Sequence, residues 1–406
     1  MNSEKKEHLN TVSRKLRTIM ERDNIDAVIV TTCDNFYHVT GILSFFMYTF
    51  RNTGTAIAVV FRDVKIPSLI IMNEFEAASL TLDMPNAELK TFPVWVDVDD
   101  PFNMRDSANN NKERPIGPPI ESVCNILKDA LNDARVLNKK IAIDLNIMSN
   151  GGKRVIDAVM SNVDFVDSSS IFNELRVIKS PWEIKRLRKS AEITEYGITE
   201  ASKLIRVGCT SAELTAAYKA AVMSKSETHF SRFHLISVGA DFSPKLIPSN
   251  TKACSGDLIK FDCGVDVDGY GADIARTFVV GEPPEITRKI YQTIRTGHEH
   301  MLSMVAPGVK MKDVFDSTME VIKKSGLPNY NRGHLGHGNG VFLGLEESPF
   351  VSTHATESFT SGMVLSLETP YYGYNLGSIM IEDMILINKE GIEFLSKLPR
   401  DLVSFN

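Results

Sequence analysis

The chain has 406 residues, of which 24% are charged, and a formal net charge of -6. This length is typical of two domains rather than one. A chain with this net negative charge lacks the excess of basic residues that binds nucleic acid, so we expect neither DNA nor RNA as a partner. No apolar window is long enough to span a membrane, and the first residues, MNSEKKEHLN, lack the apolar core of a signal peptide. We therefore expect a soluble, cytoplasmic protein.

The first part of the chain alternates helical and strand patterns. Leu9, Val12, Leu16 and Ile19 recur at helical spacing, and the apolar run DAVIVTT follows as a strand. TGTAIAVVF, PSLIIM and KKIAIDL are further predicted strands, and IESVCNILKDALNDA is a predicted helix. The polar segment DDPFNMRDSANNNKERPIGPP is a predicted loop within this part. The alternation indicates an α/β domain, which we expect to cover residues 1–172.

A second domain, residues 173–406, is predicted to open with a long helix. Ser180, Pro181 and Glu183 form a capping-box pattern, and apolar residues then recur on one face. Strand-rich sequence with glycine turns follows, with helices near 286–304 and 311–325. The five cysteines occur singly, without CxxC spacing, and are predicted to be reduced core residues.

Two aspartates interrupt an apolar hairpin pattern in FDCGVDVDGYGADIARTF. A turn on Val267 and Asp268 would place Asp262 opposite Asp273, whereas a turn on Asp268 and Gly269 would place it opposite Ala275. In both registers the two carboxylates share a face of the sheet. Buried carboxylates this close need a cation or a shared proton, unless they are turn acids at a hydrated sheet edge.

Two further segments favour a cation. MVLSLETPYYGYNLGSIMIEDMIL carries Glu368 and Glu382 in strand-like runs, and GHLGHGNG carries His334 and His337 among glycines. Each residue alone has an ordinary structural explanation, such as a Glu382–Arg276 ion pair. Together, four carboxylates and one imidazole suit one or two divalent ions such as Mn²⁺, Fe²⁺, Co²⁺ or Zn²⁺.

The chain resembles the pita-bread metallopeptidase family of methionine aminopeptidase, aminopeptidase P and prolidase, with non-peptidase relatives such as creatinase. NIDAVIVTTCDNFYHVTGI resembles the start of the creatinase/prolidase N-terminal domain, and GYGADIARTF, GHGNG and IEDMILI match the catalytic domain. The resemblance implies an α/β N-terminal creatinase/prolidase-like domain followed by an α+β pita-bread, aminopeptidase-type catalytic domain. The family's five metal-ligand positions are filled by Asp262, Asp273, His337, Glu368 and Glu382.

The resemblance also implies a mechanism. Two metal ions, with Mn²⁺ expected first, would activate a water that attacks the C–N bond of an Xaa-Pro dipeptide or related peptide. Glu368 is then the predicted proton shuttle, or alternatively a ligand without a role in proton transfer. His334, in the same glycine-flanked loop as His337, is a second catalytic candidate. The family's N-terminal domain usually contributes to dimerisation, so we expect a homodimer in which ILSFFMYTFRN, residues 42–52, shapes a pocket or lies in the core.

The sequence departs from the prolidase pattern at two substrate-binding histidines. Lys245 in SPKLIPSN and Glu346 in EESP align with these positions, with about two residues inserted before Glu346. Both could bind a charged substrate, or they could be surface residues beside a shifted alignment. The alternatives to a peptidase are therefore an ectoine hydrolase-like or creatinase-like enzyme for a small zwitterionic molecule, or a dimethylsulfoniopropionate lyase-like enzyme. A non-enzymatic binding role is the remaining class.

Overall fold

The computed structural model describes residues 3–50, 55–98, 102, 113–146, 148–341 and 346–406. The chain divides into two compact units, Met1–Leu175 and Arg176–Asn406. Most of the predicted loop at residues 99–119 lies outside the described residues, as do residues 51 and 52 of the aromatic stretch. None of the helices in the described ranges combines the length and the apolar character that a bilayer crossing requires.

The first unit is a mixed sheet flanked by helices. Its helices are α1 (Ser3–Arg22), α2 (Cys33–Thr40), α3 (Phe45–Phe50), α4 (Glu74–Ala77), α5 (Ile120–Asp133), α6 (Asn150–Val159) and α7 (Ser169–Val177). Its strands are β1 (Ala27–Val30), β2 (Ala56–Phe61), β3 (Ser68–Asn73), β4 (Ala87–Phe92), β5 (Ile141–Ile143) and β6 (Phe165–Asp167), in the order β4-β3-β2-β1-β5-β6. The strands and helices predicted for this part are confirmed.

Two cores cover the two faces of this sheet, because successive side chains point to opposite sides. Val28 and Val30 of β1 pack with Leu16 of α1 in one core. Ala27 and Ile29 pack on the other side with α5 and α6. Both faces are buried, which explains the nearly continuous apolar runs of the strands.

The second unit begins with α8 (Pro181–Ser202) and α9 (Ser211–Met223). Two further described helices, α10 (Glu285–Met304) and α11 (Met311–Lys324), follow five of its strands. Its strands are β7 (Phe230–His234), β8 (Ser237–Val238), β9 (Leu258–Val267), β10 (Tyr270–Gly271), β11 (Ile274–Val280), β12 (His334–Gly338), β13 (Glu347–Ser352), β14 (Val364–Glu368), β15 (Tyr371–Gly373), β16 (Gly377–Ile379), β17 (Glu382–Ile387), β18 (Ile392–Phe394) and β19 (Val403–Phe405). The predicted capping box at the start of α8 is confirmed, with both reciprocal hydrogen bonds of Ser180 and Glu183 present.

Eleven of the strands described for this unit form one sheet, whose central order is β10-β9-β11-β17-β14-β12-β13. Helices α10 and α11 pack against the face that carries Leu365 and Leu367 of β14 and Ile385 of β17. The residues that alternate with these leucines and this isoleucine along β14 and β17 therefore point away from the helices. That second face carries the candidate site.

Candidate metal centre

The two aspartates of the predicted hairpin lie on β9 and just before β11. Asp268 and Gly269 form the turn, with φ of 48° and 75°, as a two-residue type I′ turn requires. Asp262 consequently pairs with Ala275, which is the second of the two predicted registers. Asp273 is two residues from Ala275, so it shares the face of Asp262.

Neighbouring strands extend this pairing into a row across the sheet. Ala275 pairs with Glu382 on β17, and Glu382 pairs with Glu368 on β14. Directly paired side chains point to the same face. The sheet therefore gathers three carboxylates from distant parts of the chain, with the small side chain of Ala275 leaving space between two of them.

His337 reaches the same face from β12, where it pairs with Ser366 of β14. The Ser366 hydroxyl donates a hydrogen bond of 2.8 Å to the Asp273 carbonyl oxygen, which ties β14, the strand paired with His337, to the aspartate hairpin. A Cβ at Gly338 would lie 2.6 Å from the Ser348 carbonyl oxygen, so the close approach of β13 requires glycine there.

The five predicted metal ligands, Asp262, Asp273, His337, Glu368 and Glu382, are all buried and line one cavity of about 170 Å³. His337 Nε2 lies 3.7 Å from Asp273 Oδ2 and 3.8 Å from Glu382 Oε1. Asp273 Oδ1 and Glu382 Oε2 are buried and have no hydrogen-bond partner among the described residues. Buried oxygens of this kind call for a partner, and a cation is a suitable one.

The close packing of these buried side chains changes their pKa values. Burial, followed by the charge of Asp262, holds the pKa of Asp273 well above its ordinary value. Burial and then Asp273 do the same to the pKa of Glu382. Burial raises the pKa of Glu368 to about 7 and lowers the pKa of His337. Divalent cations would offset this repulsion, so the donor set fits them.

A lysine that the sequence analysis did not single out lies within this cluster. Lys260 is 2% exposed, and its Nζ donates a hydrogen bond of 2.8 Å to Asp262 Oδ2. Burial opposes its charge, but Asp262 and the neighbouring Tyr372 together outweigh burial, so the pKa of Lys260 lies above its ordinary value. A lysine in an apolar strand, two residues before a predicted ligand, was the signal that could have revealed it.

An arginine and a histidine approach Glu368 from the segment before His337. Arg332 Nη2 donates to Glu368 Oε1 at 3.1 Å, and His334 Nδ1 lies 3.4 Å from the same oxygen. Arg332 also lines the cavity. The structure thus brings the predicted catalytic pair, Glu368 and His334, together and adds a cation that sequence reasoning missed.

The two predicted substrate-binding residues are placed differently. Glu346 lines the cavity, and its Oε2 is 3.5 Å from His334 Nε2. Lys245 instead forms an ion pair with Asp241 and is 44% exposed. The structure does not bring Lys245 into the lining of the cavity, so its role in substrate binding stays a prediction.

The suggested Glu382–Arg276 ion pair is wrong. Arg276 Nη2 binds Asp383 Oδ1 at 2.6 Å, on the helix-covered face, because adjacent residues of a strand point in opposite directions. Asp383 Oδ2 lies 2.9 Å from His298 Nε2 and also pairs with Arg400. Burial opposes the charge of Asp383, but Arg276 and His298 outweigh it, so its pKa lies far below the ordinary value.

Comparisons with known proteins agree with this geometry. Residues 185–389, about half of the chain, match the sequence profile of metallopeptidase family M24. The chain belongs to metallopeptidase family M24. Residues 13–178 match the creatinase/prolidase N-terminal domain. The M24 family depends on a dinuclear metal centre, and this member is accordingly a metallohydrolase.

Two curated relatives illustrate the family. The M24 chain is 31% identical to an Xaa-Pro dipeptidase of Pyrococcus furiosus over 246 residues, which is 60% of this chain and 70% of the relative. It is 26% identical to a putative dipeptidase of Bacillus subtilis over 284 residues, which is 70% of this chain and 78% of the relative.

Solved structures of other M24 proteins share the fold. The prolidase from Thermococcus sibiricus superposes with a TM-score of 0.82 at 21% identity, covering 98% of this chain and 99% of that one. The X-Pro aminopeptidase from Thermotoga maritima gives 0.77 at 21% identity, covering 97% and 99%. The predicted fold class, a creatinase/prolidase-like domain followed by a pita-bread catalytic domain, is confirmed.

Proposed function

We propose that this chain hydrolyses the C–N bond of Xaa-Pro dipeptides or short Xaa-Pro peptides with two divalent metal ions. The observation that carries the proposal is the convergence of five ligand side chains on one sheet face, in one cavity. Asp262, Asp273, His337, Glu368 and Glu382 would hold the ions, with Mn²⁺ expected before Fe²⁺, Co²⁺ or Zn²⁺. The bound ions would lower the pKa of a water and polarise the scissile carbonyl.

The remaining steps belong to side chains of the chain itself. Glu368 accepts the proton of the attacking water at its carboxylate and delivers it to the leaving amine. Arg332 donates a hydrogen bond to Glu368 Oε1, and His334 Nδ1 lies 3.4 Å from the same oxygen. Burial of the carboxylates excludes competing water and strengthens these interactions.

Proline release from a panel of Xaa-Pro dipeptides tests the proposal. We expect metal-free protein to be inactive and protein reconstituted with Mn²⁺ to release proline, because the carboxylate cluster needs cations. Colorimetric proline assays, with metal content measured in parallel, provide the readout. A fully metal-loaded protein that cleaves none of the dipeptides would contradict the peptidase proposal.

A second candidate is a hydrolase or lyase for a small zwitterionic molecule. It is favoured by Glu346 in the lining of the cavity, where the resembling peptidases carry a histidine. A substrate carboxylate would bind Arg332, and its amino or quaternary ammonium group would bind Glu346. This candidate gains support if metal-loaded protein fails on every dipeptide of the panel.

We also propose a homodimer formed through an exposed aromatic cluster of the first unit. Phe45 is 64% exposed, and Phe50 and Trp95 are 38% and 40% exposed. Phe46 links them, with its ring centroid 5.3 Å from Trp95 and 5.4 Å from Phe50. Exposed aromatic clusters of this kind are typical of association surfaces.

The domain boundary at residue 172 and the cytoplasmic location stay predictions.

Sedimentation velocity tests the dimer. We expect the wild-type chain to sediment as a dimer and F45S to shift toward monomer, because a polar side chain would break the aromatic contact. F75S, at an exposed phenylalanine of α4 that does not belong to the cluster, is the matched control. A wild-type chain that is entirely monomeric would contradict the proposal.

A further inference from the structure

Lys260 is buried on the same face of the sheet as the candidate metal ligands. It precedes Asp262 by two residues on β9 and pairs with Thr277 on β11. Strand alternation therefore directs its side chain toward the site rather than toward the helices. The Tyr372 ring, 5.7 Å from the lysine Nζ, lies beside it and also lines the cavity.

The ammonium group changes what Asp262 can offer to a cation. A protonated lysine has three donors and no acceptor, so it cannot ligate a metal ion. Its hydrogen bond occupies Asp262 Oδ2 and leaves Oδ1 for a cation. A divalent ion at Oδ1 would then lie close to a positive charge that solvent does not screen.

Three of the other candidate ligands form a tight group that does not include Asp262. Ligand atoms of Asp273, His337 and Glu382 lie within 4.8 Å of one another, and Asp262 is outside that triad. Arg332 does contact Glu368, but 26% of the arginine side chain is exposed. Solvent screens such a charge, and a long exposed side chain can turn away.

We propose that the Lys260 ammonium competes with the cation at Asp262 and so weakens metal binding at that position. The inference rests on the proposed dinuclear function and adds a residue that sets metal occupancy. Lys260 is a positioning residue here, because it acts on Asp262 and not on a substrate.

Calorimetric titration of metal-free protein with Mn²⁺ measures both affinities. We expect two classes of site in the wild type, and in K260M we expect the weaker class to tighten at least about tenfold. The stronger class should stay within about twofold, because the triad lies outside the lysine contact. K312M, which removes an exposed lysine of α11 outside the cavity lining, is the matched control and should leave both classes unchanged.

K260Q removes the charge of Lys260 but keeps a hydrogen-bond donor. It also replaces K260M as the test variant if K260M folds poorly. Glutamine still donates to Asp262 but carries no charge, so we expect the same tightening. Thermal unfolding provides a readout independent of titration. The metal-free neutral variants should melt below the wild type, because Asp262 loses its positively charged partner. Mn²⁺ should raise their midpoints by more than it raises that of the wild type.

The outcomes separate this inference from the proposed function. Wild-type protein that binds no Mn²⁺ would overturn the proposed dinuclear function and this inference with it. Two bound ions whose affinities remain unchanged in both K260M and K260Q would overturn the role of Lys260 alone. Loss of the weaker class in the neutral variants would also overturn it, since Lys260 would then support the cation rather than compete with it.

Discussion

Replacing Glu382 with alanine is expected to remove metal binding and activity together. Glu382 lies between the aspartate hairpin and Glu368 in the row across the sheet, and its Oε1 is 3.8 Å from His337 Nε2. Losing about 4 kcal/mol of metal-assisted transition-state stabilisation would lower kcat/KM about a thousandfold. Proline release and metal content, measured on the same preparation, check this result.

The control for this variant is E390A, which removes an exposed glutamate shortly after the same strand. It should retain the metal and the rate of the wild type. Circular dichroism establishes that E382A remains folded. If E382A kept two equivalents of Mn²⁺, the assignment of Glu382 as a ligand would be wrong.

The second large effect concerns stability rather than chemistry. D383A is expected to destabilise the second unit by about 3–5 kcal/mol, because it leaves the buried guanidinium of Arg276 without its carboxylate. The side chains of Arg276 and Asp383 are 2% and 0% exposed. Urea unfolding in the presence of EDTA measures the loss without any contribution from bound metal.

Fluorescence can follow the second unit alone. The chain has two tryptophans, and a W95F background leaves Trp182 of α8 as the reporter. E393A is the matched control, because its partner Arg188 is 48% exposed, and such pairs contribute about 0–1 kcal/mol. A loss below about 1 kcal/mol in D383A would show that the buried ion cluster contributes little.

The sequence predicted the elements that carry the site because apolar runs and glycine turns mark them clearly. It could not choose between two hairpin registers, since both turns contain two residues. The structure uses Asp268 and Gly269, which tolerate positive φ, whereas Val267 is β-branched and does not. Local backbone preference, applied to these positions, would have favoured the observed turn.

The site residues that escaped prediction depend on contacts between distant strands. Arg332 and Lys260 gain their roles only because folding places Glu368 and Asp262 beside them. Lys245 was selected by aligning a gapped loop, and nothing in its local sequence indicated that Asp241 would pair with it. Patterns within one strand predict which face a side chain occupies, but not its partner on another strand.

The row of paired residues makes the metal centre sensitive to how the strands align. A slip of one residue between β17 and β11 would turn Glu382 toward the helix-covered face and place Asp383 in the cavity. Ions that bind only the correctly aligned sheet stabilise that alignment by mass action. During synthesis, therefore, the chain cannot assemble this centre until strands as far apart as those of Asp262 and Glu382 have both left the ribosome and paired.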